Sequence, residues 1–444
     1  MNPSEQQTLE RLTQQILDEA KRQGATAAEA GSQVEEGYST TVRKGEVETI
    51  EHHKDRGMGV TVYFGQRKGT ASTSDFSDAA VEAAVQAACD IARYTEEDPY
   101  AGLAAPEQLA TVFPDLELDH PWEVDVEASV GLAAACEQAA LEHDERVTNS
   151  DGGSVSSHRS VRVYGNSHGF LAGYGTSRHG ISCSVVAQQP GQSEMERDYW
   201  YTSARDPQQL EPAETVGMKA AERTVARLGG RQIKSCQVPV LFEASIAGGL
   251  LGHLMAAIRG GSLYRKASFL LDAKGEQLFP DWVDIYEQPH LKRASASAPF
   301  DSDGVATREQ KFVDQGVLSE YVLDCYSARR LGMETTANGG GVRNLRMSHG
   351  SASFDEMLKN MGNGVLITEL MGQGINMVTG DYSRGASGFW IENGEIAYPV
   401  EEITIAGNLR EMFQQIAAVG ADTDPRGNVQ TGSILLEQMS IAGS

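Results

Sequence analysis

Histidine is the residue type in this sequence best suited to metal binding, and no two of its ten histidines have the spacing of a helical metal motif. Two ligands on one helix face need a separation of three or four residues. His52 and His53 are adjacent in a predicted strand, so their side chains point to opposite faces and form a poor chelate. His168 and His179 fall in a predicted meander, where hydrogen-bonded or surface roles are favoured. The sequence therefore predicts no self-contained metal motif.

The best candidate for a serine nucleophile lies in the stretch "GDYSRGASG". A G-x-S-x-G elbow has glycine two residues before the serine, but here Asp381 holds that position relative to Ser383. We predict instead that Ser383 and Arg384 shape a polar loop or a binding cleft. The glycine-rich stretches "MGQGINMVTG" and "NGGGVRN" lack the spacing and the strand–helix context of phosphate loops. No catalytic residue is predicted from these motifs.

The stretch "GGLLGHLMAAIRGGS" at residues 248–262 is a small-residue helix with one histidine. A glycine inside a helix costs roughly 0.8–1 kcal/mol relative to alanine, so several glycines there call for an explanation. Gly248, Gly252 and Ala256 form a row at i, i+4 and i+8, which predicts a surface on which another backbone packs closely. His253 has only glycine and alanine four residues away, and neither residue can bind a metal. Close packing is the favoured explanation.

The elements that carry these residues follow an order of helix, β-meander and helix that occurs twice. Helices are predicted at residues 5–23, after an N-cap at Ser77, at about 125–142 and at about 213–228. Alternating strands lie between them, and the first of these strands turn at Lys44-Gly45 and Lys68-Gly69. Short, glycine-punctuated strands follow, including a hairpin with Asn393-Gly394 at its tip. The predicted class is α+β: an N-terminal half of antiparallel sheet with flanking helices, and a C-terminal β-barrel-like or sandwich domain. The predicted units are 1–120, 121–235 and 236–444, and the first two could share one layer.

The chain is strongly acidic, with a formal net charge of −25. This charge argues against nucleic acid or an anionic membrane as a partner, because both need a cationic surface. Residues 94–145 hold fourteen Asp and Glu and neither Lys nor Arg. A solvated acidic face is the favoured interpretation of this stretch, and an acidic docking surface is the alternative.

The five cysteines are odd in number and far apart, which argues against a disulfide framework and for a reducing compartment. The N-terminal stretch "MNPSEQQTLERLTQQ" has neither the basic region nor the apolar run of a signal peptide. No apolar run approaches the length of a membrane span. A cytoplasmic location is therefore expected.

Many stretches, in order from about residue 38 to the end, resemble the TldD/PmbA family of gyrase modulators and metallopeptidases, and most closely its PmbA (TldE) branch. They include "RVTNSDGGSVSSH", "GGSLYRKASFLLD", "PFDSDGV", "GVLITELMGQGIN" and "TGDYSRGASGFWIENGEIAYPVEEITIAGNL". The resemblance implies an α+β N-terminal half and a barrel-like C-terminal domain. It also implies a cytoplasmic heteromeric peptidase that acts on extended or unfolded peptides, in peptide maturation and antitoxin turnover.

In the TldD branch the small-residue helix carries an H-E-x-x-x-H zinc motif, and a cysteine near the C-terminus adds a third ligand. On this chain the two histidine positions fall at Gly252 and Ala257, the glutamate position at His253 and the cysteine position at Thr431. Zinc needs three or four donors, and these residues do not supply them. The resemblance therefore implies no zinc in this chain and a TldD-type partner that carries it.

Three hypotheses about function remain open at this point. The first is a PmbA-type subunit, itself non-catalytic, that contributes a peptide cleft to a two-component metallopeptidase. The second is a homodimeric modulator that binds peptides without hydrolysis. The third is an enzyme with an unrecognised site around Tyr382, Ser383 and Arg384. Apart from these hypotheses, His253, Tyr382, Ser383 and Arg384 are the candidate residues for a peptide cleft or a subunit interface.

Overall fold

A computed structural model describes residues 3–443 of the chain. Its N-terminal half is built on one antiparallel sheet with the strand order β3-β2-β1-β4-β5-β6. The strands are β1 (Ala27–Arg43), β2 (Glu46–Phe64), β3 (Arg67–Thr73), β4 (Val147–Asn166), β5 (Leu171–Gln188) and β6 (Met195–Ala204). The helices are α1 (Pro3–Arg22), α2 (Asp78–Tyr94), α3 (Val126–His143) and α4 (Ala213–Ala226). Strands β1 and β4 pair along Glu29–Val42, so the strands of both halves of the predicted repeat form one sheet.

All four helices cover the same face of this sheet. Alternate residues of β4 place Val155 in the core under α3 and α4 and Val161 in the core under α1 and α2. Because side chains alternate between faces along a strand, Ser156, His158 and Ser160 of β4 point to the opposite face. The predicted helix caps are local: Ser77 accepts a hydrogen bond from the Ala80 amide at the start of α2. The opposite face of the sheet is thereby left for the C-terminal half.

The C-terminal half contains a closed β-barrel, with one short strand added to it and a second, smaller sheet beside it. Its strands are β7 (Cys236–Phe242), β8 (Ile285–Glu287), β9 (Gln310–Asp314), β10 (Val317–Leu318), β11 (Leu345–Met347), β12 (Gly364–Met371), β13 (Asp381–Glu392), β14 (Glu395–Asn408), β15 (Ile416–Val419), β16 (Val429–Gln430) and β17 (Ile434–Ala442). Its helices are α5 (Ala244–Ala257), α6 (Gly260–Tyr264), α7 (Cys325–Leu331), α8 (Phe354–Met361) and α9 (Leu409–Gln414).

Closure of the barrel decides between the two predicted architectures. Strands follow the order β14-β13-β12-β7-β17, and β17 then pairs with β14, where Ile405 lies opposite Ile441. A ring of five strands results, so the domain is a barrel and not a sandwich. The hairpin between β13 and β14 turns at Asn393 and Gly394, which have φ of 54° and 82° as a type I′ turn requires. This turn was predicted from the sequence, and the structure confirms it.

Part of the acidic stretch is neutralised by cations from other elements. Arg159 of β4 makes a two-pronged contact with Asp119 at 2.7 and 2.9 Å. Lys292 and Arg293, from the C-terminal half, both bind Glu117. Hydrogen bonds from Lys292 and Arg293 lower the pKa of Glu117 to about 2. Glu117 therefore joins the two halves, and Asp119 is paired within the N-terminal half, roles that neither sequence-based interpretation included.

All five cysteines are free thiols, as expected from their spacing. Among the described residues, no helix is long and apolar enough to cross a membrane.

Candidate functional site

A large cleft separates the helix-free face and one edge of the N-terminal sheet from the C-terminal half. Its volume is about 1200 Å³. One wall comes from β4, β5 and β6, and the other from the start of α5 and the loops at residues 292–295 and 422–426. A second cavity of about 760 Å³ continues past Trp200, Ser245 and Arg426, which line both spaces. The two spaces together form one elongated groove between the halves.

Helix α5 presents its small residues to this groove. Gly249 lines the second cavity, and an added Cβ at Gly249 or Gly252 would meet nothing within 4 Å. Only Gly248 is close to another element, because a Cβ there would lie 3.4 Å from the Val429 carbonyl oxygen of β16. The predicted packing row is therefore wrong for Gly252: its face is open within this chain, and only the Gly248 end of the helix is packed.

The four positions that correspond to the family's zinc site differ in their surroundings. Gly252 is exposed and Ala257 is fully buried, and neither side chain has a donor atom. Thr431 is 2% exposed, and its hydroxyl donates to the Gly432 carbonyl at 3.1 Å. His253 is half-buried, and burial together with the nearby Arg384 cation lowers its pKa. Among these residues only the His253 ring offers a nitrogen ligand.

Three of the four candidate cleft residues come together beside the second cavity, which only Arg384 of the three lines. The rings of His253 and Tyr382 lie edge to face, with centroids 6.0 Å apart and planes at 67°. Burial raises the pKa of Tyr382 to about 12, against the opposing effect of the Arg384 cation. Arg384 lies two residues further along β13, on the same face, and lines the second cavity. Ser383 points to the opposite face and is exposed, and it lies within a strand and not in the predicted loop.

The wall around Trp200 is rich in cations. Arg426 lies over Trp200 at 3.9 Å and over Tyr201 at 4.4 Å, measured from the guanidinium carbon to each ring centroid. Arg223 joins α4 to the start of α5 through Glu243 at 3.0 Å. Among the described residues, seven Lys and Arg side chains and five carboxylates line the larger cleft. The cleft is thus locally cationic in a chain of net charge −25.

The histidines of the predicted meander have the structural roles that were predicted for them. His179 is 1% exposed, and its ring nitrogens contact the Ser157 hydroxyl at 2.9 Å and the His120 carbonyl at 2.8 Å. His168 contacts the Ala104 carbonyl through Nδ1 at 3.0 Å.

A group of residues that the sequence reading did not combine lies on the sheet wall of the cleft. Glu35, His53 and His158 come from three neighbouring strands, and one ligand atom of each lies within 4.8 Å of those of the others. A partial signal was present, because a hairpin folded at the predicted Lys44-Gly45 turn brings His53 opposite Gly37. The pairing of β1 with β4 has no local signal, so the position of His158 could not be read from the sequence.

The chain matches three domain models that together span most of its length. Residues 28–92, 119–228 and 235–443 match domain 1, the central domain and the C-terminal domain of the PmbA/TldA metallopeptidases. It is 52% identical over 407 residues to "Metalloprotease PmbA" of Escherichia coli O157:H7, covering 92% of this chain and 90% of that protein. It is 47% identical to a Haemophilus influenzae PmbA homologue, with 99% and 97% covered. The chain therefore belongs to the PmbA/TldD metallopeptidase family.

More distant relatives and solved structures agree with this assignment. A TldD homologue of Haemophilus influenzae is 23% identical over 91% of this chain and 87% of its own length. The crystal structure of a proposed modulator of DNA gyrase from Bacteroides thetaiotaomicron superposes with a TM-score of 0.93 at 27% identity, over 98% of both chains. TldE from Thermococcus kodakarensis shares the fold, with a TM-score of 0.83 at 21% identity over 97% of this chain and all of that one.

Proposed function

We propose that this chain is the PmbA/TldE-type subunit of a cytoplasmic two-component metallopeptidase. It binds extended or unfolded peptides, and a TldD-type partner supplies the zinc that hydrolyses them. The observation that carries the proposal is the lack of ligand atoms on α5 at the family's two histidine positions, where Gly252 lies on the open face and Ala257 is buried. A helix without a complete set of zinc ligands, beside an open groove in a chain that keeps the family's fold, fits a binding subunit better than an independent enzyme.

The groove has features suited to an extended peptide. Strand β12 pairs with β7 only through Val365–Ile367, so among the described residues its last part, 368–371, has no strand partner on that side. Thr368, Glu369 and Leu370 line the second cavity beside α5. An unpaired strand edge can bind a peptide through main-chain hydrogen bonds that tolerate varied side chains. We therefore place the peptide along this edge of β12.

The other exposed edge in the groove, β6, is less suited to strand addition. Arg426 donates to the Tyr201 carbonyl at 3.2 Å, and the Asp198 carboxylate accepts from the Tyr199 amide at 2.7 Å. Two main-chain groups of β6 are therefore already bonded to side chains. In this proposal β6 contributes its cationic and aromatic side chains, which would attract acidic side chains or the terminal carboxylate of a peptide.

Reconstitution tests the proposal. This chain, a TldD-type chain of the same organism and a 1:1 mixture are each incubated with an unstructured polypeptide such as β-casein, and fragments are identified by mass spectrometry. We expect cleavage that is strong only in the mixture and is abolished by a chelator. Chelator-sensitive cleavage by this chain alone would overturn the proposal.

Two other results would favour the remaining hypotheses. A mixture without cleavage, together with stable self-association of this chain in analytical ultracentrifugation, would favour a homodimeric modulator. The third hypothesis is tested with a variant that lacks the Tyr382 hydroxyl and the Ser383 and Arg384 side chains. If this variant still binds peptide but the reconstituted cleavage is lost, a catalytic site at those residues is favoured.

A further inference from the structure

We propose that Glu35, His53 and His158 form a binding site for a divalent cation of the zinc class on the sheet wall of the cleft. The site rests on the register of three strands. Gly37 of β1 pairs with His53 of β2 on one side and with His158 of β4 on the other. Directly paired residues share a face of the sheet, and Glu35 lies two residues earlier on that same face. All three side chains therefore point away from the helices and toward the C-terminal half.

The distances suit a metal ion after small side-chain rotations. The two imidazole rings have centroids 5.1 Å apart and planes at 39°, and His158 Nδ1 lies 3.9 Å from Glu35 Oε1. Zinc binds nitrogen and oxygen at about 2.0–2.2 Å, so its tetrahedral ligands lie about 3.4 Å from one another. The three ligand atoms lie within 4.8 Å of one another, so binding requires them to approach by at most about 1.4 Å, a distance that side-chain rotation can cover.

Gly37 makes this approach of the two rings possible. A Cβ at residue 37 would lie 2.5 Å from His158 Nδ1 and 2.6 Å from His53 Cε1. Both rings lean over the glycine backbone, into space that any other residue would fill. The glycine has an extended backbone and no positive φ, so turn geometry does not explain it. The close approach of the His53 and His158 rings explains why residue 37 is a glycine.

The two histidines also differ from His179 and His168 in the bonding of their rings. The rings of His179 and His168 are engaged in hydrogen bonds to protein atoms. For His53 and His158, no hydrogen bond from a ring nitrogen is present among the described residues; their ring contacts are with each other and with Glu35. Unbonded imidazole nitrogens beside a carboxylate are a donor set that zinc and other first-row divalent ions prefer.

The charges around the site are mixed. Asp55 pairs directly with Glu35 and adds a second carboxylate on the same face. Arg178 pairs with His158 and adds a cation on this face, but its Nε donates to the Ser203 hydroxyl at 3.0 Å, toward β6 and away from His53. Glu35 and His158 line the 1200 Å³ cleft. A bound ion would therefore have an open coordination position toward the cleft, accessible to water or to an oxygen of a bound peptide.

Direct metal binding tests this inference on the full-length, untagged chain without any partner, so the outcome is independent of the peptidase proposal. Chelator-stripped protein is titrated with ZnCl₂ by calorimetry, and Co²⁺ is added to follow its visible absorption. We expect one saturable ion per chain. The double variant H53A/H158A should bind roughly 100-fold more weakly or not at all, and E35Q about tenfold more weakly.

Two further variants complete the test, one expected to lose the site and one expected to keep it. G37A retains every ligand but forces the rings apart, so it should also lose the site. H52A removes a neighbouring histidine whose side chain points to the other face, and it should bind as the parent does. Added zinc should raise the thermal midpoint of the parent and of H52A but not of H53A/H158A. Absence of saturable binding, or binding unchanged in H53A/H158A, would overturn the proposal. Absence of saturable binding would also agree with the sequence-based prediction that this chain carries no metal.

Discussion

Arg426 lies over the indole ring of Trp200, with 3.9 Å from the guanidinium carbon to the ring centroid. The contact joins the loop at residues 422–426 to the edge strand of the N-terminal sheet. Two hydrogen bonds, at 2.9 and 2.7 Å, hold the same guanidinium on Asp424. Burial alone would raise the pKa of Asp424, but these hydrogen bonds outweigh it and keep that pKa below its ordinary value. Arg426 therefore fixes one wall of the cleft, because it pairs with Asp424 and stacks on Trp200 at the same time.

Replacing Arg426 by alanine should destabilise the protein by about 3 kcal/mol, because it leaves the largely buried Asp424 without its cation. R426K keeps the charge but not the two-pronged geometry or the stacking, so an intermediate loss is expected. Urea unfolding at pH 7 measures both. The R426A effect should shrink at low pH, because a carboxylate with a lowered pKa contributes stability above its unfolded pKa and loses it as the pH falls through the folded value. A loss below 0.5 kcal/mol in R426A would show that this contact contributes little to stability.

Removing the Tyr382 hydroxyl should cost little. Tyr382 is 2% exposed, and its hydroxyl makes no hydrogen bond of good geometry among the described residues, with the Arg384 guanidinium as its nearby polar neighbour. Y382F deletes a buried polar group without a partner, so the free energy of unfolding should stay equal or rise slightly. Y382A removes the whole ring and should cost about 3–5 kcal/mol. A clear loss of stability in Y382F, measured by the same denaturation, would mean that the hydroxyl has a partner in solution.

The open glycines of α5 should accept alanine. G252A and G249A each place a methyl group in free space and should stabilise the isolated chain by about 0.5–1 kcal/mol, because alanine favours a helix over glycine. Gly260 is the matched control: a Cβ there would lie 2.3 Å from the Ser327 hydroxyl, so G260A should be destabilising. If G252A destabilises the chain alone, the face of α5 is closed in solution.

The same face offers a test of partner binding. G252L should leave the isolated chain folded, because the space around Gly252 is open. If a TldD-type partner or a peptide packs on this face, the variant should bind it at least tenfold more weakly in a pull-down or calorimetric titration. Unchanged binding would move the interface away from α5.

Glu287 should make stability depend on pH near neutrality. It is 1% exposed, accepts two hydrogen bonds from the Asn338 side-chain amide at 3.1 and 2.9 Å, and burial raises its pKa to about 7. The folded state therefore binds a proton that the unfolded state has lost, so stability falls as the pH rises from about 4.5 to about 7 and is level above that. The full effect is about 3 kcal/mol.

The variant E287Q isolates this effect, because it removes the titrating group and preserves the side-chain volume. Between pH 5 and pH 8 the free energy of unfolding of E287Q should rise relative to that of the parent protein. Asp301, whose pKa burial raises to about 6, titrates in both proteins and cancels in the difference. A constant difference across this range would contradict a raised pKa for Glu287.

Helices and turns were predictable because their signals are local. The Ser77 cap and the Asn393-Gly394 turn each depend on a few neighbouring residues, and the structure has both where they were expected. The helix predicted at about 125–142 is observed at Val126–His143. The class of the C-terminal half followed from its short strands, but the choice of barrel over sandwich did not. That choice depends on the pairing of β14 with β17, which are separated by an α-helix and two short strands.

The candidate site was predictable only in part. Tyr382 and Arg384 were candidates because of their residue types. The contact of Tyr382 with His253 was not predictable, because it joins segments about 130 residues apart in the sequence. Ser383 was grouped with them by adjacency, yet neighbours in a strand point to opposite faces. His52 and His53 were dismissed as a pair for that same reason, which is correct within one strand but does not consider a partner across the sheet.

The sequence by itself determined the family, the α+β class, the local elements and the absence of donor atoms at Gly252 and Ala257, because each of these depends on residue identity or on short-range periodicity. Only the tertiary structure decided which face of α5 is open, that the barrel closes, and that Glu35, His53 and His158 meet beside the cleft. The physical reason is register. A shift of one residue in the pairing of β1 with β4 would turn His158 to the helix-covered face, and the energy that fixes this pairing is spread over the whole sheet and its core.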